Sequence, residues 1–430
     1  MYYIDGLHKV YGPIVRIAPH EVAIADLEAF SEIHRIGGGF LKSAWYDNAA
    51  VGNEPGIFSM RNPKEHAQRR RMFARGFSKS GLRSNWEDIV RDTVEEAVAR
   101  IKAEATHGTT DALKWWTLMA ADVVSQLAFG HSFEMVRRGE KSDFNKALEK
   151  TLMSGAMQRE LPLVFAIMRF IPLESVQRIV TAEDVLYEHG TKAVMKFREG
   201  GGHLNLFSQM ISESESNEKS TLSDQTVWRE ASNLIFAGSD TTATTMTYLT
   251  WVVLKMPSLR ERLEEEVAAL SPGFRDQDLE ELPLLNAVID EVLRLYGAAP
   301  GSLPRNVPEG GATLGGYFLP AGTVVSTQAF TFHRDSAIFP DPLKFDESRF
   351  LKPQTPAQKV AFHPFGAGAR SCQGFHLARM ELRYAAAYFF RECRDARLGD
   401  NMSDSMMEME SFFLIAPKAH RCDVTIAPRP

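Results

Sequence analysis

A lone cysteine in a glycine-rich loop offers the most chemistry in this chain. Residues Phe365 to Gly374 read FGAGARSCQG, and a helical pattern, FHLARMELRYAAAYFF, runs on from Phe375 to Phe390. Cys372 therefore stands just before a helix N-terminus, where open N–H groups and the positive dipole end stabilise a thiolate. Gly366, Gly368 and Gly374 let the backbone approach a large flat ligand, and Arg370 could pair with a carboxylate on it. Three readings of the loop compete. A dinucleotide loop would explain Gly-Ala-Gly, but Ser371 occupies the third glycine position and about 60 residues remain, too few for that fold. An inert buried thiol is the common state of a lone cysteine. A thiolate metal ligand accounts for the glycines and the arginine together, and those features suit a haem with Cys372 as its axial ligand.

A second stretch raises a different question. The apolar helical pattern from Asp224 to Met256 covers 33 residues, roughly 50 Å at 1.5 Å per residue. Its centre, Ala237 to Thr247, reads AGSDTTATTMT, built from residues that weaken a helix. Thr hydroxyls that bond back to the i−4 carbonyl and bend the helix are the structural explanation. Asp240 needs more, because a buried carboxylate without partners is expensive. An acid beside a hydroxyl, in a groove that holds water, is the functional explanation.

Other positions carry weaker signals. Glu291 and Arg294 are three apart in LLNAVIDEVLRLY, hence neighbours on one helical face; taken alone they read as a surface ion pair. His66 and Arg70, in HAQRRRMFARGFS, share a face at i,i+4. Arg69 and Arg71 read as a solvated basic face. His363, the remaining histidines and Cys393 read as structural.

The spacing Phe-x-x-Gly-x-Arg-x-Cys-x-Gly closely resembles the haem loop of the cytochrome P-450 family, and Ala237 to Thr242 matches the family's oxygen-binding segment. The resemblance implies that Phe365, Gly366, Arg370, Cys372 and Gly374 hold haem b. It implies that His66, Arg70 and Arg305 meet the propionates. Ala237 and Gly238 would leave clearance above the porphyrin, Thr241 would hold dioxygen and an ordered water, and Asp240 would relay protons. Glu291 and Arg294, joined by Arg349, would form a buried network bracing the loop, although Glu-Ser-Arg replaces the family's Pro-Glu-Arg before Phe350. Substrate walls would fall at Phe236, Ser302, Leu303, Phe412 and Phe413.

These residues need a large body to position them. The 430-residue chain is 44% hydrophobic and 24% charged, which allows an ample core. A net charge of −6 gives no argument for nucleic-acid binding. Three cysteines without a CxxC pair form neither a disulfide framework nor a zinc site, and they fit a reducing compartment. PIVRIAPHEVAIAD (Pro13 to Asp26) has the alternation of a hairpin. From Asp26 to Pro257 the pattern is mainly helical, with loops at Gly37 to Gly39, Gly200 to Gly202 and Ser212 to Ser220. Helices follow at Ser258 to Leu270 and Leu284 to Tyr296. Short strands are expected in Gly311 to Phe330, a Pro-rich stretch from His333 to Pro364, and strand and turn around SFFLIAPKAH. The fold class is mainly α with small β-sheets (α+β). The resemblance makes it a cytochrome P-450 fold whose long central helix crosses the haem, with residues 1–430 as one catalytic domain.

The implied function is haem-thiolate monooxygenation of an apolar small molecule, a secondary-metabolite intermediate. Two alternatives stay open: desaturation, coupling or rearrangement without net hydroxylation, and a non-catalytic haem sensor, against which Asp240-Thr241 argues. The sequence is most similar to fungal microsomal-type members, which implies electrons from an NADPH-dependent flavin reductase and dioxygen as co-substrate. It also implies an endoplasmic-reticulum membrane location, cytosolic face, through an anchor that this sequence lacks. As given, the chain is expected to be soluble.

Overall fold

A computed structural model describes residues 1–49, 55–181, 205–206 and 223–426. The glycine run 200–202 and the polar run 212–220, both expected as loops, lie outside the described residues. Helix accounts for 56% of the structure, with small sheets besides, so the mainly α class holds. Two compact units are distinguished: one of Met1–Ser43, Val90–Thr117 and Asp240–Pro430, the other of Ala44–Ile89 and Leu118–Ser239.

The first unit contains a five-stranded sheet. Its strands, in order across the sheet, are Ile14–Ala18, Glu21–Ile24, Val324–Ser326, Arg305–Asn306 and Leu41–Lys42. The hairpin expected around Pro19-His20 forms the first two, and it bulges between Arg16 and Ala18. Asp26 then caps the Leu27–His34 helix, its carboxylate accepting from the Ala29 N–H at 2.8 Å. Val22, Ile24, Ala29, Ile33, Phe40, Val307, Leu314 and Val325 make the core under this sheet. The last pairing matters for the site, because it sets Lys42 opposite Arg305.

The long helix runs Asp224–Lys255, giving its residues from Asp240 onward to the first unit. Pro257 does not merely end it: Pro257 is the first residue of the next helix, Pro257–Ala268, where its missing N–H is no loss. The Pro283–Tyr296 helix follows, and both helices pack on the Phe375–Glu392 helix. That last helix is buried along almost its whole second half, from Met380 through Phe390.

Glu291 and Arg294 are not a surface pair. Both side chains are at 0% exposure, and Arg294 Nε and Nη2 donate to the two Glu291 oxygens at 2.7 Å each. Arg294 Nη1 also donates to the His333 carbonyl at 2.6 Å and the Pro342 carbonyl at 2.7 Å. Arg349 Nε lies 3.4 Å from Glu291 Oε1, and the Asp346 N–H donates to that oxygen at 2.9 Å. Hence Arg349 reaches the network despite the altered residues before it.

In the second unit, Asn62 caps the Pro63–Ala74 helix. Arg69, expected on a solvated face, is largely buried and donates to Glu230 at 2.6 Å. Glu230 is fully buried and also accepts from the Ile57 N–H at 3.1 Å. No local pattern marks a carboxylate 161 positions away as its partner. Arg71 is exposed as expected.

The Glu291–Arg294 geometry yields a stability prediction. Arg294→Ala should lower the unfolding free energy by about 3–5 kcal/mol, the range for breaking a buried ion pair. Arg294→Lys should recover only part of it, since one ammonium cannot reproduce the fork and the carbonyl bonds together. Urea unfolding of both variants measures this, and full recovery by lysine would show that charge alone matters.

Candidate haem-thiolate site

The Cys372 loop is open where the neighbouring chain is closed. No residue from Phe362 to His376 is buried, and Cys372 itself is exposed, whereas Cys393 and Cys422 are buried. The Cys372 N–H donates to the Phe365 carbonyl at 2.8 Å, and the Gly366 N–H to the His363 carbonyl at 2.9 Å. Gly366 and Gly368 adopt φ of +70° and +65°, the region that favours glycine. Gly368 is further constrained because a Cβ there would lie 2.0 Å from the His34 carbonyl oxygen. Gly374 precedes the Phe375–Glu392 helix, and a Cβ on it would touch Cys372 Sγ at 3.9 Å, narrowing access to the sulfur. The Phe365 and Phe375 rings meet edge-on at 4.9 Å.

Beside the loop lies a concentration of positive charge. Lys42 and Arg305 are buried at 5% and 6% exposure on paired strands. Burial, with Arg305 and Arg370 close by, pushes the Lys42 amine down to about 6. Burial and Arg305, with His363, likewise hold His34 at about 3. Cations forced together in low dielectric favour an anionic ligand. An exposed cysteine at a glycine-cleared loop, with two arginines beside a lysine that burial and those arginines discourage from carrying charge, fits a flat metal macrocycle bearing carboxylates. Lys42 was invisible to sequence reasoning; a lysine within the apolar run Phe40-Leu41 was the available hint, but its opposition to Arg305 is a matter of register.

The long helix has an accessible strip in an otherwise buried run. Phe236, Gly238, Asp240 and Thr241 are partly accessible and Ala237 is exposed, while Ile235, Ser239 and every residue from Thr242 to Leu254 are buried. Ala237, Asp240 and Thr241 fall at i, i+3 and i+4, on one face. Gly238 packs closely on a neighbour: a Cβ there would stand 3.1 Å from Val124 Cγ2. The other threonines are accounted for. Thr245 and Thr247 donate back to the carbonyls of Thr241 and Ala243 at 2.8 and 2.7 Å, and Thr244 donates to the Ile415 carbonyl at 3.4 Å.

Thr242 leads to a residue that sequence reasoning missed. Its side chain hydrogen-bonds Glu381, a fully buried carboxyl that burial pushes up to about 8. Glu381 is therefore neutral at pH 7. Only its position among the apolar residues of the Phe375–Glu392 helix could have marked it.

Of the residues expected as substrate walls, four lie in the first unit. Phe412 and Phe413 form the tip of the hairpin Met409–Phe412/Leu414–Pro417, with Phe413 at φ +89°. A bulky residue there is strained, and Phe412 is 71% exposed. The Ile415 N–H donates to the Ala298 carbonyl at 2.9 Å, which anchors the hairpin. Ser302 bridges to Gln328, and the Leu303 N–H donates to the Thr327 carbonyl at 3.1 Å. Phe236 belongs to the second unit, as do His66, which is buried, and Arg70, which is partly so.

A family model described as Cytochrome P450 matches residues 2–422. The chain is 42% identical to "Cytochrome P450 monooxygenase stcB" of Emericella nidulans, over 99% of this chain and 83% of that one. It is 40% identical to "Cytochrome P450 monooxygenase cypX" of Dothistroma septosporum, over 99% and 86%. It is 34% identical to "Methylphloroacetophenone oxidase" of Cladonia uncialis, over 80% and 78%. Its fold is similar to that of the cytochrome P450DA heme domain, with a TM-score of 0.83 at 19% identity, over 100% of this chain and 93% of that one.

Glu381 gives a pH prediction with a definite sign. Its folded pKa of about 8 lies above the unfolded value, so the unfolded chain loses that proton first as pH rises. Stability should fall between about pH 4.5 and 8 on this account. Glu381→Gln should remove that slope, so its melting temperature should gain on the parent between pH 5 and 8. An advantage that shrinks over that interval would contradict a neutral buried carboxyl.

Proposed function

Because the chain belongs to the cytochrome P450 family, whose oxidoreductases use haem, dioxygen and an electron-donating partner, we propose that Cys372 is the axial thiolate of a b-type haem in a monooxygenase. The exposed Cys372 sulfur at a glycine-cleared loop is the observation that carries this reading. When bound, the haem supplies an iron at which dioxygen is reduced and its O–O bond broken, a cleavage favoured by electron donation from a thiolate.

The chain's own residues supply the rest. Gly374 caps the N-terminus of the Phe375–Glu392 helix just after Cys372, a position where open N–H groups and the dipole favour a thiolate. Arg305 and Arg370, with Lys42 beside them, would hold carboxylates of the macrocycle, and the resemblance gives His66 and Arg70 the same role. Gly374 leaves room at the sulfur, Gly366 turns the loop at positive φ, and the Phe365 carbonyl accepts from the Cys372 N–H; Ala237 and Gly238 would leave room on the long helix. Thr241 presents a hydroxyl to hold oxygen and water, and Asp240, partly accessible, exchanges protons with solvent and passes them along the same helical face. Glu291, Arg294 and Arg349 brace the loop and take no part in the chemistry.

The substrate in this reading is an apolar aromatic secondary-metabolite intermediate, met by Phe236, Ser302, Leu303, Phe412 and Phe413. Support comes from the aromatic residues of that set and from a relative whose name specifies a phenolic ketone. That relative is named an oxidase, which favours a second reading, oxidation without net hydroxylation, and retention of oxygen from dioxygen in the product separates the two. Electrons would come from an NADPH-dependent flavin reductase, at the cytosolic face of the endoplasmic reticulum, with residues 1–430 acting as one catalytic domain. Among the described residues no helix is long and apolar enough to cross a membrane.

The reduced carbon-monoxide complex should show the thiolate-haem absorbance band, and Cys372→Ala should abolish it. A band that survives the substitution would overturn the ligand assignment. Thr241→Ala should bind substrate normally yet yield about tenfold less product per reducing equivalent, the remainder going to peroxide and water, by loss of one positioned proton-transfer group. Unchanged coupling of NADPH use to product would remove Thr241 from the relay.

A further inference from the structure

One buried imidazole connects the Glu291–Arg294 pair to the Cys372 loop. His333 closes the short Ala329–Phe332 helix and is 1% exposed. Its Nδ1 lies 2.9 Å from the Arg294 carbonyl oxygen, and the His363 N–H donates to its Nε2 at 3.2 Å. The two contacts fix the tautomer. A backbone N–H can only donate, so Nε2 is the acceptor, and the ring proton must sit on Nδ1, where it is donated to the carbonyl. Arg294 returns the bond, its Nη1 donating to the His333 carbonyl at 2.6 Å. Burial, and the neighbouring His363, Arg334 and Arg294, hold the ring well below its usual protonation range, in keeping with a single ring proton.

From His363 the path runs directly into the loop. The His363 carbonyl accepts from the Gly366 N–H at 2.9 Å, and the Phe365 carbonyl between them accepts from the Cys372 N–H at 2.8 Å. The far side of His363 is held as well: its ring stacks on Phe30 at 4.2 Å, and Phe30 packs on His34 at 4.5 Å. The His34 carbonyl in turn faces the Cβ-less side of Gly368. A displaced His363 would therefore shift the loop at both Gly366 and Gly368.

We infer that neutral His333, protonated on Nδ1, is the positioning residue that transmits the geometry of the Arg294 network to the Cys372 loop, so that a thiolate is presented to the iron. The inference rests on the proposal that Cys372 is the axial ligand. His333 touches neither substrate nor cofactor and acts through the His363 backbone.

The test uses the haem-loaded protein and reads the reduced carbon-monoxide spectrum. Asparagine and glutamine divide the two bonds: His333→Asn keeps a donor near the Arg294 carbonyl, and His333→Gln keeps an acceptor near the His363 N–H. His333→Gln should retain most of the thiolate-type band, whereas His333→Asn should convert at least about half of it to the thiol-type band, since the loop loses a buried hydrogen bond. A wild-type band in His333→Asn, or equal loss in both variants, would overturn the inference. Nitrogen NMR of the imidazole in the diamagnetic carbon-monoxide complex gives a readout independent of any variant. A proton on Nδ1 alone is expected, and a proton on Nε2 would overturn the inference even if His333→Asn does not fold. Absence of the thiolate band in the unaltered protein would instead defeat the Cys372 assignment itself.

Discussion

A guanidinium removed from water must have its charge and its donors satisfied, and Arg294 meets that demand in a way that organises much of the first unit. At 0% side-chain exposure it binds both oxygens of Glu291 and two backbone carbonyls at 2.6 and 2.7 Å. Those carbonyls belong to His333 and Pro342, in a stretch with little regular structure between the Pro283–Tyr296 helix and the Cys372 loop. Such a stretch has few ladder bonds of its own, so the planar fork of one arginine serves as its frame. Charge alone would not do this, because a backbone carbonyl is ordered by the direction of a donor.

Around the loop the opposing problem arises. Lys42, Arg305 and Arg370 repel one another, and burial first, with that repulsion added to it, drives the Lys42 amine down to about 6. The fold holds this arrangement through strand pairing, which opposes Lys42 to Arg305 regardless of their charges. A ligand carrying carboxylates converts that repulsion into attraction. Strain of this kind is expected where a protein is shaped for a group that arrives from outside.

The long helix shows two uses of one residue type. Thr245 and Thr247 spend their hydroxyls on the preceding turn, where they relieve no one but themselves. Thr241 and Asp240 lie on the accessible strip, and Thr242 turns to a neutral buried Glu381. The weak centre of the helix is thus three structures rather than one: back-bonded threonines, an open acid–hydroxyl face, and a glycine fitted to Val124.

Local chemistry made the most of this legible from sequence. The glycines, arginine and cysteine of Phe365 to Gly374 are contiguous, and their spacing carries the resemblance to the family whose model matches residues 2–422; the same holds for Ala237 to Thr242. Helix limits came out to within two residues where proline marked them, as at Pro257 and Pro283. Distant pairings were a different matter. Nothing near Lys42 announces Arg305, nothing near Arg69 announces Glu230, and the ring of His333 meets two backbone groups 39 and 30 positions away. Burial that turns an ordinary ionisable side chain into a perturbed one depends on what the rest of the chain packs against it. Sequence therefore determined which chemistry the protein carries, since that is written in residue types and short spacings. Only the tertiary structure decided which charges are buried together and which imidazole carries its proton on Nδ1, because desolvation and hydrogen-bond direction exist only once distant segments meet.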